Sequence, residues 1–570
     1  MDIEQRIQDF KETFLPEKFE WRRGQKEAIK QIVETYFEGK YKIVVLDAPV
    51  GSGKSIIAMA VSWILNKRDK NGYILASDIT LQEQYEKDFK SMNLNWGSVK
   101  GIDNYDCNDN GERLSMGTCK IRNKRPRSMP CYNDCQYYSA RDKASDSETS
   151  LLNYAYWLIM MNYVQGSIEN PPFETRDFMI ADEAHKIVDI VQSHYSPKFD
   201  KLMNRKFERL TNFFNDHNMK NHDLDFVTLK NLITQLETSE VALTLFDILK
   251  KIEIILRSYL RSVSVLKDKV DKEYKSSEPP KKWKAILKTG DWLKDFHCKI
   301  EDYIEIIDKT SIDHLIKNPN GEDIVFNCLF ESYLMHKYFH KWSDFTVLMS
   351  ATFADPKEYL RSIAISGAKY IKMESNFNFT KSPIYFYNKR KMSYSQIDAN
   401  LPWLNKTINS IIFKHKGERG VIHTASYHLA MKIWDGLSKQ NKNRVLVYSG
   451  TEEKRQVLEQ LKRFPDKILM GPSLLEGIDL KDDWSRFQIF AKVPYLSLGD
   501  RFVKAKMDRN PAWYRNKAVI AILQGTGRSV RSETDWAVTY ILDGALSDLI
   551  HRSPAAFPVE FRSRVKLIRE

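Results

Sequence analysis

The run Ala48-Pro49-Val50-Gly51-Ser52-Gly53-Lys54-Ser55 constrains this chain more than any other feature. It joins a short apolar segment, Ile43–Leu46, to a helix-forming segment, Ser55–Leu65. A strand that turns through glycines into a helix aims successive backbone N–H groups at one point, where the helix N-terminus also favours negative charge. A lysine at that turn reaches the β- and γ-phosphates of a nucleotide, and the following hydroxyl holds Mg²⁺. Gly51, Ser52, Gly53, Lys54 and Ser55 fill the pattern, while Ala48 stands where its first glycine usually falls. Such a loop belongs to a parallel α/β sheet. The next segments agree, since Tyr73–Ala76 reads as a strand and Leu81–Phe89 as a helix.

Two further clusters match the chemistry of ATP. Asp182-Glu183-Ala184-His185 follows the strand-like Phe178–Ala181. One carboxylate there would hold Mg²⁺ and the next would polarise water, the division of labour that in-line phosphoryl transfer needs. Alone, an acidic pair after a strand is commonly a solvated loop; behind a phosphate loop the catalytic reading is the stronger. Near the C-terminus, Gln524-Gly525-Thr526-Gly527-Arg528-Ser529-Val530-Arg531 carries two arginines three residues apart, which share a face on a helix. Guanidinium groups offered to a γ-phosphate stabilise transition-state charge.

At 570 residues the chain is too long for one hydrophobic core, and 42% hydrophobic with 29% charged residues is ordinary globular composition. Residues 101–150 are polar, cysteine-bearing and basic. From about Lys186 to Lys341 the texture becomes helical, with Leu245, Ile248, Leu249, Ile252, Ile255, Leu256, Tyr259, Val263, Leu266 and Val270 on one face of a long helix that Glu278-Pro279-Pro280 breaks. The α/β texture resumes at Phe345–Met349 and runs on through Val421–His423, Val445–Tyr448, Ile468–Met470, Phe487–Ala491 and Ala537–Leu542. The N-terminus is not a signal peptide, and the longest apolar runs, Ile56–Leu65 and Leu151–Val164, are too short to cross a bilayer. A soluble protein of a reducing compartment, the cytoplasm of a bacterial or phage-infected cell, is the expectation, with no membrane partner. The formal charge of +13 favours a polyanionic partner.

Four of the six cysteines, Cys107, Cys119, Cys131 and Cys135, fall in 29 residues with the spacing C-x11-C-x11-C-x3-C. Four thiolates suit an iron–sulfur cluster. Structural zinc favours paired knuckles, of which Cys131/Cys135 is one, so spacing alone leaves the metal open. Cys298 and Cys328 read as packing residues. The same segment carries Lys120, Arg122, Lys124, Arg125, Arg127, Arg141 and Lys143 against Asp134 and Asp142, with Tyr132, Tyr137 and Tyr138 interleaved. Basic groups beside aromatic faces suit single-stranded DNA, with Lys120, Arg122, Arg125, Arg127 and Tyr132 as candidate contacts; the alternative is a solvated loop whose tyrosines pack inward.

Arg22-x-x-Gln25, Ala48–Ser55, Asp182–His185, Ser350-Ala351-Thr352, Glu476-Gly477-Ile478-Asp479 and Gln524–Arg531 occur in the order of superfamily 2 helicase motifs. With four cysteines between the two nucleotide motifs, the set resembles the XPD/DinG family. Thr80-Leu81-Gln82-x-Gln84, Leu152-Asn153-Tyr154, Thr424–Tyr427 and Lys492-Val493-Pro494-Tyr495 agree, although Tyr154 stands where relatives usually have histidine.

The resemblance implies two RecA-like parallel-sheet motor domains, with an iron–sulfur insertion and an all-helical Arch insertion in the first. The expected boundaries are 1–100, 145–190 and 340–380 for the first motor, 101–144 for the iron–sulfur domain, 191–339 for the Arch and 381–570 for the second motor. It also implies ATP, Mg²⁺ and a [4Fe–4S] cluster as cofactors, and 5′→3′ movement on single-stranded or forked DNA, with R-loops a further substrate and the chain acting as a monomer. By matching position, Lys54 and Ser55 would bind phosphate and Mg²⁺, Asp182 Mg²⁺, and Glu183 would activate water. Gln524, Arg528 and Arg531 would reach ATP from the second motor. Arg22 and Gln25 would lie at the nucleotide, Gln25 on the base. Ser350–Thr352 and Glu476, Gly477 and Asp479 would link ATP state to DNA grip. A translocase with little unwinding, a zinc-bearing nucleic-acid scaffold and an RNA helicase are the competing readings.

Overall fold

The computed structural model describes the chain except residues 1, 50, 122–125, 165–170, 220–224, 275–278, 322, 375–378, 449–455, 458, 462, 473–481, 528–534 and 570. Two seven-stranded sheets organise it. The first runs in the order Lys369–Lys372, Ile43–Asp47, Ser343–Ser350, Arg176–Ala181, Gly72–Ala76, Thr149–Asn153, Gly97–Ser98, all parallel. The second runs Val445–Val447, Ile468–Gly471, Gly420–His423, Phe487–Phe490, Val538–Ile541, Ile384–Tyr387, Val565–Ile568, also parallel throughout. We call the two bodies built on these sheets the first and second lobes.

Parallel strands bury both faces, so their sequences are near-continuous apolar runs. Gly72–Ala76 and Thr149–Asn153 are buried at every position. The helix Lys54–Asn66 is apolar almost all round because it lies between that sheet and an outer layer: Phe10 and Phe14 of the helix Ile3–Phe14 pack on its Trp63.

Both insertions leave and re-enter the first sheet at neighbouring strands, so neither interrupts the sheet. Arg176–Ala181 pairs with Ser343–Ser350 across the long insertion, and Gly97–Ser98 pairs with Thr149–Asn153 across the cysteine segment. Gly97 is required at that second junction, because a Cβ there would sit 2.3 Å from the Ala144 backbone.

The long insertion differs from the all-helical expectation. Its body is helical, dominated by the antiparallel pair Ala242–Glu273 and Lys281–Lys309. At its base, however, lies a three-stranded antiparallel sheet of Lys198–Phe199, Asp323–Cys328 and Leu315–Asn320. The physical reason lies in the sequence: Asn318-Pro319-Asn320-Gly321 is a turn signal, and Gly321 takes the left-handed φ of 64° that closes the hairpin. No described helix is long and apolar enough to cross a membrane.

Candidate active site

The phosphate loop sits at the carboxyl end of Ile43–Asp47, where ligands of parallel sheets bind. Gly51 and Gly53 adopt left-handed φ of 77° and 78°, which turn the chain sharply into the helix that starts at Lys54. Two side chains hold the loop from behind. Gln25, fully buried, donates from Nε2 to the Ser52 carbonyl at 2.8 Å, and its Oε1 accepts from the Arg22 N–H at 2.7 Å. The Arg22 guanidinium donates to the Gly51 carbonyl. Arg22 and Gln25 thus clamp loop backbone here, beyond the base contact expected for Gln25. A Cβ on Gly53 would lie 2.4 Å from Gln25 Nε2, so glycine serves both the turn and the clamp.

Asp182 and Glu183 follow Arg176–Ala181, two strands away from the loop in the sheet order. Asp182 is buried; its Oδ2 accepts from the Tyr85 hydroxyl at 2.9 Å, its Oδ1 from the Glu183 N–H at 2.8 Å, and its carbonyl from the Tyr154 hydroxyl at 2.7 Å. Burial, with Glu183 adding to it, raises the Asp182 carboxyl above its ordinary range against the pull of Lys54. For Glu183 burial works in the same direction, but Lys54, His185 and Lys186 together outweigh it and hold that carboxyl below its usual range. Lys54 Nζ stands 3.5 Å from Glu183 Oε1. Glu183 has a left-handed φ of 53°, a conformation that side chains other than glycine adopt at a cost of about 1–3 kcal/mol and that collects at functional sites.

His185, to which sequence reasoning gave no role of its own, connects this centre to the rest of the molecule. Its Nδ1 lies 3.3 Å from Glu183 Oε2 and 2.8 Å from Ser350 Oγ, while its Nε2 lies 2.7 Å from Gln524 Nε2 of the second lobe. Ser350 Oγ also accepts from the Thr352 N–H at 3.1 Å. Lys54, Glu183, His185, Ser350 and Gln524 are thereby one contiguous polar chain from the phosphate loop across the interlobe cleft. Tyr85 and Tyr154 were likewise missed; Tyr154 was visible in the sequence only as a departure from histidine. Arg528, Arg531, Glu476, Gly477 and Asp479 lie outside the described residues.

In the cysteine segment, Cys107, Cys119 and Cys135 are buried and Cys131 is half-buried, all four as free thiols in one locality. Burial raises the Cys119 thiol, and Cys107 and Cys135 are close enough to raise it further, against Lys120 and Tyr138. Among the described residues no group of three or more His, Cys, Asp or Glu is placed to hold a metal ion. As a donor set, four neighbouring and mostly buried cysteines would suit a thiolate-bound cluster. Lys120 and Arg127 are exposed, whereas Arg122 and Arg125 lie outside the described residues. The Tyr132 ring stacks on Tyr138 at 5.2 Å and its hydroxyl donates to Asp142 at 2.5 Å, so it is committed within the domain, as are the buried Tyr137 and Tyr138.

The family described as "Type III restriction enzyme, res subunit" matches residues 18–220, and "Helicase C-terminal domain" matches residues 410–559. The chain is similar to the ATP-dependent DNA helicase YoaA of Escherichia coli (strain K12), with 21% identity over 452 residues, 73% of this chain and 67% of that protein. YoaA of Haemophilus influenzae gives 21% over 455 residues, with the same shares. In fold the chain is similar to S. tokodaii Xpd4, with a TM-score of 0.62 at 14% identity over 96% of this chain and 100% of that one. A structure titled "XPD_Helicase" gives 0.63 at 14%, with the same coverage. The loop and acidic pair of the first lobe, the facing glutamine of the second, the motif order and these likenesses point one way: the chain is an ATP-hydrolysing helicase that resembles the XPD/DinG family.

Proposed function

We propose that this protein is a DNA helicase that uses ATP to move 5′→3′ along single-stranded DNA and opens forked duplexes, with R-loops as a further substrate. The observation that carries the reading is the polar chain Lys54–Glu183–His185–Gln524, which runs from the phosphate loop to the opposite lobe. A group that joins both walls of a nucleotide cleft transmits the state of the nucleotide to the spacing of the lobes.

In this mechanism the backbone of Gly51–Ser55 and the Lys54 ammonium bind the β- and γ-phosphates. Ser55 and Asp182 would hold Mg²⁺, which would supply positive charge to offset that developing on the transferred phosphoryl group. Asp182 is kept in place by Tyr85 and by the Glu183 N–H. Glu183, held anionic beside Lys54, accepts the proton of the attacking water, and Gln524, Arg528 and Arg531 complete the site from the second lobe. Glu476, Gly477 and Asp479 join Ser350–Thr352 in linking ATP state to DNA grip. Cys107, Cys119, Cys131 and Cys135 would hold a [4Fe–4S] cluster, whose role is to brace a segment with little core of its own. Lys120, Arg122, Arg125 and Arg127 supply positive charge beside it for the strand. The polarity rests on the resemblance to the family.

Two measurements test the reading. Lys54→Ala abolishes DNA-stimulated ATP hydrolysis while the far-UV spectrum stays that of the parent; persistent turnover refutes the assignment. Duplexes with only a 5′ or only a 3′ single-stranded tail, assayed with iron and acid-labile sulfide analysis of anaerobically purified protein, give unwinding from the 5′ tail alone and about four irons per chain.

A further inference from the structure

Arg564 is a partly buried cation between the two lobes that none of the motifs accounts for. It is the last residue of the helix Val559–Arg564 and leads at once into Val565–Ile568, an edge strand of the second sheet. Two hydrogen bonds hold its guanidinium, both to backbone carbonyls. Nε donates to the Ser382 carbonyl at 2.7 Å and Nη2 to the Thr526 carbonyl at 3.3 Å. Among the described residues no carboxylate pairs with it, and burial, unopposed by any acid, lowers its pKa to about 10. A charge drawn from water with no acid beside it is unfavourable, and an apolar side chain would fill the space without that cost. What arginine adds is a rigid fork of donors, with which one side chain holds two carbonyls at a fixed separation.

The positions of those carbonyls give the fork a purpose. Ser382 lies after Lys369–Lys372 of the first sheet and just before Ile384–Tyr387 of the second, on the stretch where the chain passes between lobes. Thr526 ends the helix Pro511–Thr526, two residues beyond Gln524 and two before Arg528. The last carbonyls of a helix have no partner within it, and a cation there also meets the negative end of the helix dipole. Arg564 therefore ties the crossing between the lobes to the end of the helix whose Gln524 reaches His185. It also lines an interlobe cavity of about 130 Å³, together with Asp47, Pro49 and Thr352 of the first lobe and Gly527 of the second.

We propose that Arg564 is a positioning residue for ATP hydrolysis: by fixing the end of that helix to the interlobe crossing, it sets where Gln524, Arg528 and Arg531 stand when the cleft closes. The proposal rests on the reading that those three residues complete the site from the second lobe. Arg564 acts through them and not on the nucleotide, so its loss slows turnover and leaves nucleotide binding in place.

Steady-state ATP hydrolysis by the full chain with oligodeoxythymidylate tests this, beside equilibrium binding of a fluorescent non-hydrolysable ATP analogue with Mg²⁺. Arg564→Gln lowers kcat about ten- to a hundredfold, as displaced catalytic groups do, while affinity for the analogue stays within about twofold of the parent. Arg564→Lys, which keeps the charge but not the fork, recovers part of the loss. In an Arg528→Ala background Arg564→Gln has little further effect, because a residue that acts through another is not lost twice. A matching fall in analogue affinity, or losses that multiply in the double variant, overturns the inference. Should the glutamine variant fail to fold, the same cycle with Arg564→Lys decides. Parental kcat in Arg564→Gln beside a slow Arg528→Ala overturns the positioning role alone; parental kcat in Arg528→Ala overturns the second-lobe assignment and the positioning role with it.

Discussion

At the residue scale, the site is governed by where a few polar atoms are buried. Tyr85 is fully buried and its hydroxyl contacts one oxygen of Asp182. Removing that donor leaves a buried carboxylate oxygen unpaired, a loss of about 1–3 kcal/mol. As a partner behind the carboxylate proposed to hold Mg²⁺, Tyr85 is a positioning residue, and such partners are worth roughly 10–100-fold in metal affinity or activity. Tyr85→Phe therefore raises the Mg²⁺ concentration for half-maximal ATPase activity by at least about tenfold while the ATP KM changes little. An unaltered Mg²⁺ titration would show that Asp182 does not depend on this contact. The carboxylates and Lys54 were legible from residue order alone, because each is fixed to the end of a strand or the start of a helix. His185, Tyr85 and Tyr154 were not, since their roles depend on partners 28 to 339 residues away in the chain.

At the element scale, apolar runs in the interior of the sheets were mostly readable and the lysine-bearing strands at two sheet edges were not. Phe178–Ala181 and Phe345–Met349 announce themselves, whereas Lys369–Lys372 and Val565–Ile568 alternate with lysine at the sheet edges, where one side is solvated. The helix Ile187–Tyr195, just after the acidic pair, carries a sensitive point. Burial, reinforced by Lys299 and opposed by Asp295, lowers the His194 pKa to about 4, and its ring packs between Tyr163 and Tyr195. The folded pKa is thus depressed below the unfolded value of about 6.5. Its contribution is complete above that value and is lost as pH falls toward the folded pKa, by at most about 3 kcal/mol. Urea titrations at stepped pH on the parent and His194→Phe measure this: the parent loses more stability than the variant between pH 6.5 and 4. Parallel curves would remove His194 from the account.

At the scale of the whole molecule, the lobes are joined by polar contacts. Lys517 meets Asp189 at 2.5 Å, the Asn516 amide oxygen accepts from the Asp355 N–H at 2.9 Å, and Asn318 donates to Asp500 at 3.0 Å. An interface of this kind opens and closes at low cost, as a motor requires. One contact is different in kind: Lys506 pairs with Glu331, both buried, with the ammonium 3.9 Å over the Trp513 ring. Lys506→Ala strands a buried carboxylate and costs about 3–5 kcal/mol, whereas Lys506→Met with Glu331→Gln restores most of that. Thermal melts of the three proteins check the order; a single variant as stable as the parent would mean that water reaches the pair.

What the sequence determined by itself was local: the phosphate loop, the acidic pair, the cysteine spacing, the helical insertion and the α/β class. Each is written in residues close together in the chain, where strand–turn–helix geometry and side-chain period leave few alternatives. Only the tertiary structure decided which groups meet. Pairing of Arg176–Ala181 with Ser343–Ser350 brings His185 to Ser350, and docking of the second lobe brings Gln524 to His185. Those contacts depend on sheet order and lobe docking, which are set by the sum of packing over the molecule and by no single motif.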